Sequence, residues 1–214
     1  LHPALQFGLT AALLQASAGA SRLSVVAFVA QEYGLPQPKT AVPLQIPLND
    51  QYLQTAHSIL TTHVTSFGYT TSKNNHKAVL GKNGKRLQQH VRQIAAWLPS
   101  LDAAYRPILH LDLQGGYGKL FENNPGKILG ALFGLELAAK PYQLQIQNPI
   151  LQESRDEQVE QLTQLTNLVK MRRLSLQLVA DAWVDSPTDV AQFANPQVCQ
   201  MVHLDLPRLG NLEL

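Results

Sequence analysis

The chain is poor in cysteine, in charge and in aromatic residues, and each shortage narrows what the protein can be. Of its 214 residues one is a cysteine, 15% are charged and 7% are aromatic. A single cysteine cannot form an internal disulfide, which favours a reducing, cytoplasmic location. The formal net charge is only +2 and the basic residues are scattered, so we expect neither a nucleic-acid nor a membrane partner. No apolar run reaches membrane-spanning length.

Hydrophobic residues, in contrast, make up 45% of the chain, which is enough for a folded core. Strand-like and helix-like segments alternate in about six βα units, and this order predicts parallel strands with right-handed crossovers. A closed (β/α) barrel needs eight units. The pattern therefore leaves two architectures, an incomplete TIM-type barrel or a smaller doubly wound sheet.

The segment Leu109–Gly118 is the clearest strand end in the chain. Apolar and polar residues alternate up to Asp112, which predicts a strand. Gly115, Gly116 and Gly118 follow within four residues and predict a tight turn. A carboxylate at the C-terminal end of a parallel strand lies where α/β proteins place their chemistry.

Three later segments repeat this pattern, and their last polar residues are Gln147, Asp181 and Asp205. One face of the four predicted strands is apolar and would be covered by helices: Leu109, Leu111, Leu144, Ile146, Leu178, Ala180, Val202 and Leu204. The other face is polar apart from Val179 and Met201: His110, Asp112, Gln143, Gln145, Gln147, Gln177, Asp181, His203 and Asp205. Both faces of an open parallel sheet are usually apolar, so the polar face favours the barrel. Asp112, Gln147, Asp181 and Asp205 would then share one rim.

Helical patterns and turn residues give the other elements. We expect helices near Pro3–Ala20, Ser24–Tyr33, Asp50–Thr61, Lys85–Leu98, Gly126–Ala139, Arg155–Val169 and Pro187–Phe193. Shorter strands are predicted at Ala41–Ile46 and His63–Phe67, and a polar loop at Thr70–Gly84. Cys199, just before the last strand, is expected to be an inert small hydrophobe.

An ordered set of segments resembles the methylaspartate ammonia-lyase family of the enolase superfamily. The set comprises His2–Thr10, Asp50–Tyr52, Asn74–Gly81, His110–Asp112 with Gly115 and Gly118, Ala138–Pro141, Val179–Asp181 with Trp183 and Asp189–Val190, and Met201–Val202 with Pro207 and Leu209–Gly210. The resemblance implies an incomplete TIM-type barrel over residues 41–214. It also implies that residues 1–40 form a helical segment joining a missing capping domain to that barrel.

The resemblance further implies a chemistry in which three strand-end carboxylates hold Mg²⁺ and a Lys abstracts the proton α to a carboxylate. Asp112 matches the first metal ligand and Asp181 the third, whereas Gln147 replaces the Glu of the second. Asp205 falls on the Lys base, and His203 lies two residues before it. We therefore expect Mg²⁺ to be weakly bound or absent, with His203 or Asp205 as the proton-transfer group.

Three functional hypotheses follow from these residues. The first is a divergent lyase acting on a small amino-acid or carboxylate substrate. The second is a non-catalytic paralogue that serves as a structural or partner-binding subunit, and a homo-oligomer or a protein partner is expected with it. The third is that the polar strand ends are ordinary solvated barrel residues and that the real site lies in the missing part of the barrel. His110, two residues below the rim, is expected to be a hydrogen-bonded interior histidine in all three.

Overall fold

The computed structural model describes residues 1–36, 40–48, 64–71 and 76–210, which fall into two compact units. One unit contains the chain up to Val42, the segment Val184–Val190 and the chain from Leu204 onwards. The larger unit contains Pro43–Trp183 and Ala191–His203. The predicted domain boundary after residue 40 stays a prediction.

Within the described residues, six parallel strands form one sheet in the larger unit. They are β1 (Gln45–Pro47), β2 (Ser66–Thr70), β3 (Ile108–Asp112), β4 (Leu144–Gln147), β5 (Gln177–Ala180) and β6 (Met201–Val202). Their spatial order follows the chain order, β1-β2-β3-β4-β5-β6, and every neighbouring pair is parallel. A doubly wound sheet reverses its strand order at a switch point, whereas a (β/α) barrel does not. The sheet therefore confirms the incomplete TIM-type barrel.

The helices of the described residues mostly lie where the sequence predicts them. They are α1 (Pro3–Ala20), α2 (Val25–Glu32), α3 (His76–Leu80), α4 (Lys85–Trp97), α5 (Gly116–Phe121), α6 (Pro125–Ala139), α7 (Arg155–Met171), α8 (Pro187–Phe193) and α9 (Leu206–Leu209). The Asn124 and Ser154 side chains accept hydrogen bonds from backbone N–H groups in the first turns of α6 and α7. The helix predicted over Asp50–Thr61 lies outside the described residues.

Two helices lie where the sequence predicted a tight turn and a polar loop. Of the three glycines, only Gly115 lies in the turn after β3, with φ 76°, because Gly116 and Gly118 lie inside α5. A Cβ on Gly115 would also lie 2.8 Å from the Leu151 side chain, so this position requires glycine. Helix α3 and a 3₁₀ turn at Lys82–Gly84 occupy part of the predicted polar loop.

Three strands differ from their predicted bounds by more than one residue. Strand β1 begins at Gln45, two residues after Pro43, because proline has no N–H for strand pairing. Strand β2 covers Ser66–Thr70, whereas the prediction ended at Phe67. Strand β6 ends at Val202, and Asp205 is the residue before α9 rather than the end of a strand. Pro207 in the first turn of α9 favours the helix here over a longer strand.

The two faces of the sheet segregate as the alternation predicts. Leu111, Ile146 and Leu178 are at most 2% exposed. The side chains of the opposite parity, including His110, Asp112, Gln145 and Gln147, are also buried, at 6–9% exposed. The inward face is therefore polar and packed, so its hydrogen bonds must be made within the protein.

No single helix among the described residues is long and apolar enough to cross a membrane. Helices α1 and α2 meet that criterion only as a pair, on length and composition, with a bend of 94° between them.

Glu136 of α6 fixes the start of β5. Its side chain is 9% exposed, and Oε1 accepts hydrogen bonds from the Ser175 N–H, the Ser175 hydroxyl at 2.6 Å and the Leu176 N–H at 3.2 Å. A buried carboxylate with three donors is satisfied, and removing it leaves those donors unpaired.

We therefore predict that Glu136→Ala lowers the free energy of unfolding by about 2–3 kcal/mol, because hydrogen bonds to a charged group are lost. Urea denaturation measures this change. Glu160→Ala, at an exposed position of α7, is the matched control and should stay within about 0.5 kcal/mol of wild type. Equal effects of the two substitutions would contradict the anchoring role of Glu136.

Candidate functional site

Strand register places the predicted site residues at two levels. Asp112 lies opposite Gln147, Gln147 opposite Val179, and Val179 opposite Met201. Asp181 and His203 are each two residues beyond that level, which is about 6.6 Å further along the strands. The structure thus brings together a lower pair, Asp112 and Gln147, and an upper pair, Asp181 and His203.

Asp112 of the lower pair is held by the loop that follows it. Its carboxylate accepts hydrogen bonds from the Gln114 backbone N–H at 3.1 Å and from the Gln114 side-chain amide. Its backbone carbonyl accepts from the N–H of Thr71 at 2.9 Å and from the Thr71 hydroxyl at 3.2 Å. The carboxylate is therefore fixed at the strand end and is 7% exposed.

Gln147 belongs to a buried network centred on His110. His110 Nε2 lies 2.8 Å from Gln147 Oε1, and His110 Nδ1 lies 3.1 Å from Gln145 Oε1. The Gln145 amide donates to Gln177 Oε1 at 3.1 Å, and the Gln143 amide reaches the same oxygen at 3.0 Å. The predicted interior role of His110 is confirmed. Both ring nitrogens face amide oxygens, so a neutral ring donates to one of them, while the Gln145 and Gln177 side chains pair across β4 and β5.

The upper pair is a direct contact between Asp181 and His203. His203 Nδ1 lies 3.1 Å from Asp181 Oδ1, and the Asn148 side-chain amide donates to Asp181 Oδ2 at 3.0 Å. The Asn148 carbonyl Oδ1 accepts from the Ala182 N–H at 3.2 Å. The Asp181 side chain is 16% exposed and that of His203 is 52% exposed, so the imidazole is the accessible member.

Asp205 is not a strand-end residue, because β6 ends at Val202 and Asp205 precedes α9, which corrects the expectation from its sequence pattern. It belongs to the smaller unit, where its Oδ2 lies 3.4 Å from Arg208 Nε. Arg208 Nε is also 3.7 Å from Asp185 Oδ1. Asp205 is therefore part of a surface ion-pair cluster beside α9.

Sequence reasoning missed two residues that hold the carboxylates, Gln114 and Asn148. Both have positive φ, at 50° and 47°, immediately beyond strand ends. Asn148 stands before Pro149, and that dipeptide indicates only a turn. Asn often adopts a left-handed backbone conformation, and here it stands one residue beyond a strand. That position was the available signal for a side chain that turns back towards the neighbouring strand.

Cys199 is no nucleophile in this structure. Burial raises the pKa of its thiol, and Sγ lies 2.9 Å from the Phe193 carbonyl and 3.1 Å from the Met201 carbonyl. A protonated thiol can donate to one of these oxygens, whereas a thiolate would face both. The predicted structural role of Cys199 agrees with this geometry.

The donor set does not fit the three-ligand Mg²⁺ site that the resemblance implies. Mg²⁺ requires near-octahedral oxygen ligation. Here Gln147 contributes an amide where a carboxylate is implied. Both Asp181 oxygens and the Gln147 oxygen contact nitrogen groups. The described residues contain no group of three or more His, Cys, Asp or Glu placed to hold a metal ion.

Comparison with known proteins gives one consistent family. The family profile "Methylaspartate ammonia-lyase C-terminus" matches residues 38–214. Methylaspartate ammonia-lyase 2 of Carboxydothermus hydrogenoformans is 30% identical over 213 residues, which cover 99% of this chain and 51% of that relative. The chain spans about half the length of the curated relatives that it matches.

Two solved structures show the same relationship in three dimensions. Citrobacter amalonaticus methylaspartate ammonia lyase containing (2S,3S)-3-methylaspartic acid has a TM-score of 0.86 and 28% identity, covering 98% of this chain and 51% of that one. The Mg complex of β-methylaspartase from Clostridium tetanomorphum has a TM-score of 0.82 and 26% identity over the same shares. Both relationships extend across nearly the whole of the present chain.

The buried network around His110 gives a prediction of energetic coupling. In a double-mutant cycle with His110→Ala and Gln145→Ala, we expect a coupling energy of about 1 kcal/mol, since His110 Nδ1 and Gln145 Oε1 are within hydrogen-bond distance in a buried site. Chemical denaturation of the four proteins measures it. The control cycle pairs His110→Ala with Gln93→Ala, an exposed position on α4, and should be additive. Additivity in both cycles would contradict the network.

Proposed function

This chain belongs to the methylaspartate ammonia-lyase family, and from that premise we propose that it is a divergent member that transfers a proton at the carbon next to a carboxylate of a small amino-acid substrate. The observation that supports the proposal is the contact between His203 and Asp181. Among the described residues, it places an accessible imidazole beside an oriented carboxylate. Such a pair is a general-base arrangement that works near neutral pH.

The proposed step uses His203 as the proton acceptor. An ionised Asp181 only accepts hydrogen bonds, so His203 Nδ1 carries the proton and Nε2 carries the lone pair. Nε2 would take the proton from the substrate carbon, and the electron pair of the C–H bond would form a C=C bond as the C–N bond breaks. Ammonia is then the leaving group, as in a carbon–nitrogen lyase.

The negative charge of the site disfavours this proton removal. Negative charge develops on the substrate carboxylate during proton removal and must be stabilised by a cation or by hydrogen-bond donors. The rim contributes the carboxylates of Asp112 and Asp181, and the position of the implied Lys base is Asp205. We therefore propose that Mg²⁺ is weakly bound or absent and that 3-methylaspartate is not deaminated at a useful rate. The role of Asp205 as a second proton-transfer group stays a prediction from the resemblance.

The second candidate function is a non-catalytic paralogue that acts as a structural or partner-binding subunit. The observation that favours it is that Asp112 and Gln147 already have partners within the chain, because both Asp112 carboxylate oxygens contact Gln114 and Gln147 Oε1 contacts His110. The same proposal includes a homo-oligomer or a protein partner, no nucleic-acid or membrane partner, and a cytoplasmic location. The location is supported by the single, buried cysteine.

Hydrogen exchange tests the first candidate against the second. We predict that the protein exchanges the carbon-bound proton of an aspartate-type substrate with D₂O, and that His203→Ala slows this exchange by about 100-fold or more. NMR of the substrate measures the exchange. His2→Ala, at the exposed start of α1, is the control and should leave the rate unchanged. A folded wild-type protein without exchange would support the non-catalytic subunit and contradict the lyase proposal.

Mn²⁺ binding tests the charge argument. We predict that Gln147→Glu tightens Mn²⁺ binding by about tenfold, or about 1.4 kcal/mol, because it adds a carboxylate opposite Asp112. Electron paramagnetic resonance of Mn²⁺ measures the affinity. Adding Asp112→Asn to that variant should reverse the gain. Gln143→Glu, at an exposed position one residue before β4 begins, is the off-site control. An unchanged affinity after Asp112→Asn would locate the ion elsewhere.

A further inference from the structure

We propose that Asp181 positions His203 rather than a metal ion, and that Asn148 is the residue that holds Asp181 in this role. The proposal rests on the proposed function for the part that His203 plays as a base. The geometry of the three side chains stands without it. Asp181 and Asn148 are positioning residues, since neither need touch the substrate.

The two oxygens of Asp181 face donors from two different strands. Oδ2 receives the Asn148 amide, from the end of β4, at 3.0 Å. Oδ1 receives His203 Nδ1, just beyond β6, at 3.1 Å. A carboxylate anchored on both sides in this way has a fixed orientation, and that orientation aims one oxygen at the imidazole.

Asn148 is itself more firmly held than a loop residue would usually be. Its backbone N–H donates to the Val179 carbonyl at 3.2 Å, and its carbonyl accepts from the Gly115 N–H at 2.8 Å. Both polar atoms of its side chain are used, one by Asp181 and one by the Ala182 N–H. Asn148 is 4% exposed and has φ 47°, and these hydrogen bonds hold it between the ends of β3, β4 and β5.

The consequence for His203 is a defined tautomer. Which ring nitrogen of a neutral histidine carries the proton is set by the hydrogen bond that the ring makes. Because the Asp181 carboxylate accepts only, the proton is on Nδ1 and the lone pair is on Nε2. A histidine without this contact has no such constraint.

The tautomer can be reversed by one substitution, and this makes the proposal testable. In Asp181→Asn, the new amide must still accept the hydrogen bond from Asn148, so its oxygen turns towards Asn148. Its NH₂ group then faces His203 Nδ1 and donates to it. His203 must become an acceptor at Nδ1 and carry its proton on Nε2, which is the wrong tautomer for a base at Nε2.

The experiment is ¹⁵N NMR of the imidazole of His203 in the full chain, without substrate, at a pH where the ring is neutral. We expect the Nδ1–H tautomer in wild type, the Nε2–H tautomer in Asp181→Asn, and loss of this reversal when Asn148→Gly is added. Glycine tolerates the positive φ of position 148, so Asn148→Gly removes the amide without straining the backbone. Asn123→Gly, at φ 53° on an exposed turn, is the matched control and should leave the tautomer as in wild type.

Two results would overturn the proposal. One is the same His203 tautomer in wild type and in Asp181→Asn. The other is a tenfold loss of Mn²⁺ affinity when Asp181→Asn is added to Gln147→Glu, since that would make Asp181 a metal ligand. A protein with the expected tautomers but no hydrogen exchange would refute the proposed function and leave this inference standing. Hydrogen exchange without the tautomer reversal would support the proposed function and refute this inference.

Discussion

The parallel pairing of β3, β4, β5 and β6 is the constraint on which every feature of the site depends. Side chains alternate between the two faces of a strand, so a shift of one residue in any pairing would move its polar residues from the inside of the barrel to the helix-covered face. The observed register places Asp112 beside Gln147 and Asp181 beside His203. The buried amides and His110 must then find their hydrogen bonds across the strands, and they do so with one another.

These buried polar groups favour one strand register, but they add little to the free energy of unfolding. A hydrogen bond between buried amides gains little over the hydrogen bonds that the same groups make with water. An unpaired buried amide, however, costs its full desolvation. Any slipped register would leave several of these groups unpaired and would expose Leu111 and Ile146 to the polar interior. The network therefore specifies the strand register, and burial of the apolar face supplies most of the stability.

The sequence predicted the fold well because its main signals are local. Period-two alternation and the order of strands and helices were enough for the barrel and for the residues that face inward. Asp205 was misplaced because alternation continues past the point where strand pairing ends, and Pro207 then begins a helix. Asn148 was missed for a different reason, since its partners Asp181 and Ala182 are more than 30 residues away in the chain. A contact of that kind is a property of register, which the sequence pattern does not contain.

Family membership and local chemistry lead to different conclusions here, and the difference has a physical origin. The barrel is set by many apolar residues whose individual replacement is tolerated, so the fold persists at about 30% identity. A proton-transfer site depends on a few charges, and each change alters the balance of the whole rim. The resemblance implies a carboxylate at position 147 and a cation at position 205, where this chain has Gln147 and Asp205. In the function proposed above, proton transfer therefore begins at the contact between His203 and Asp181.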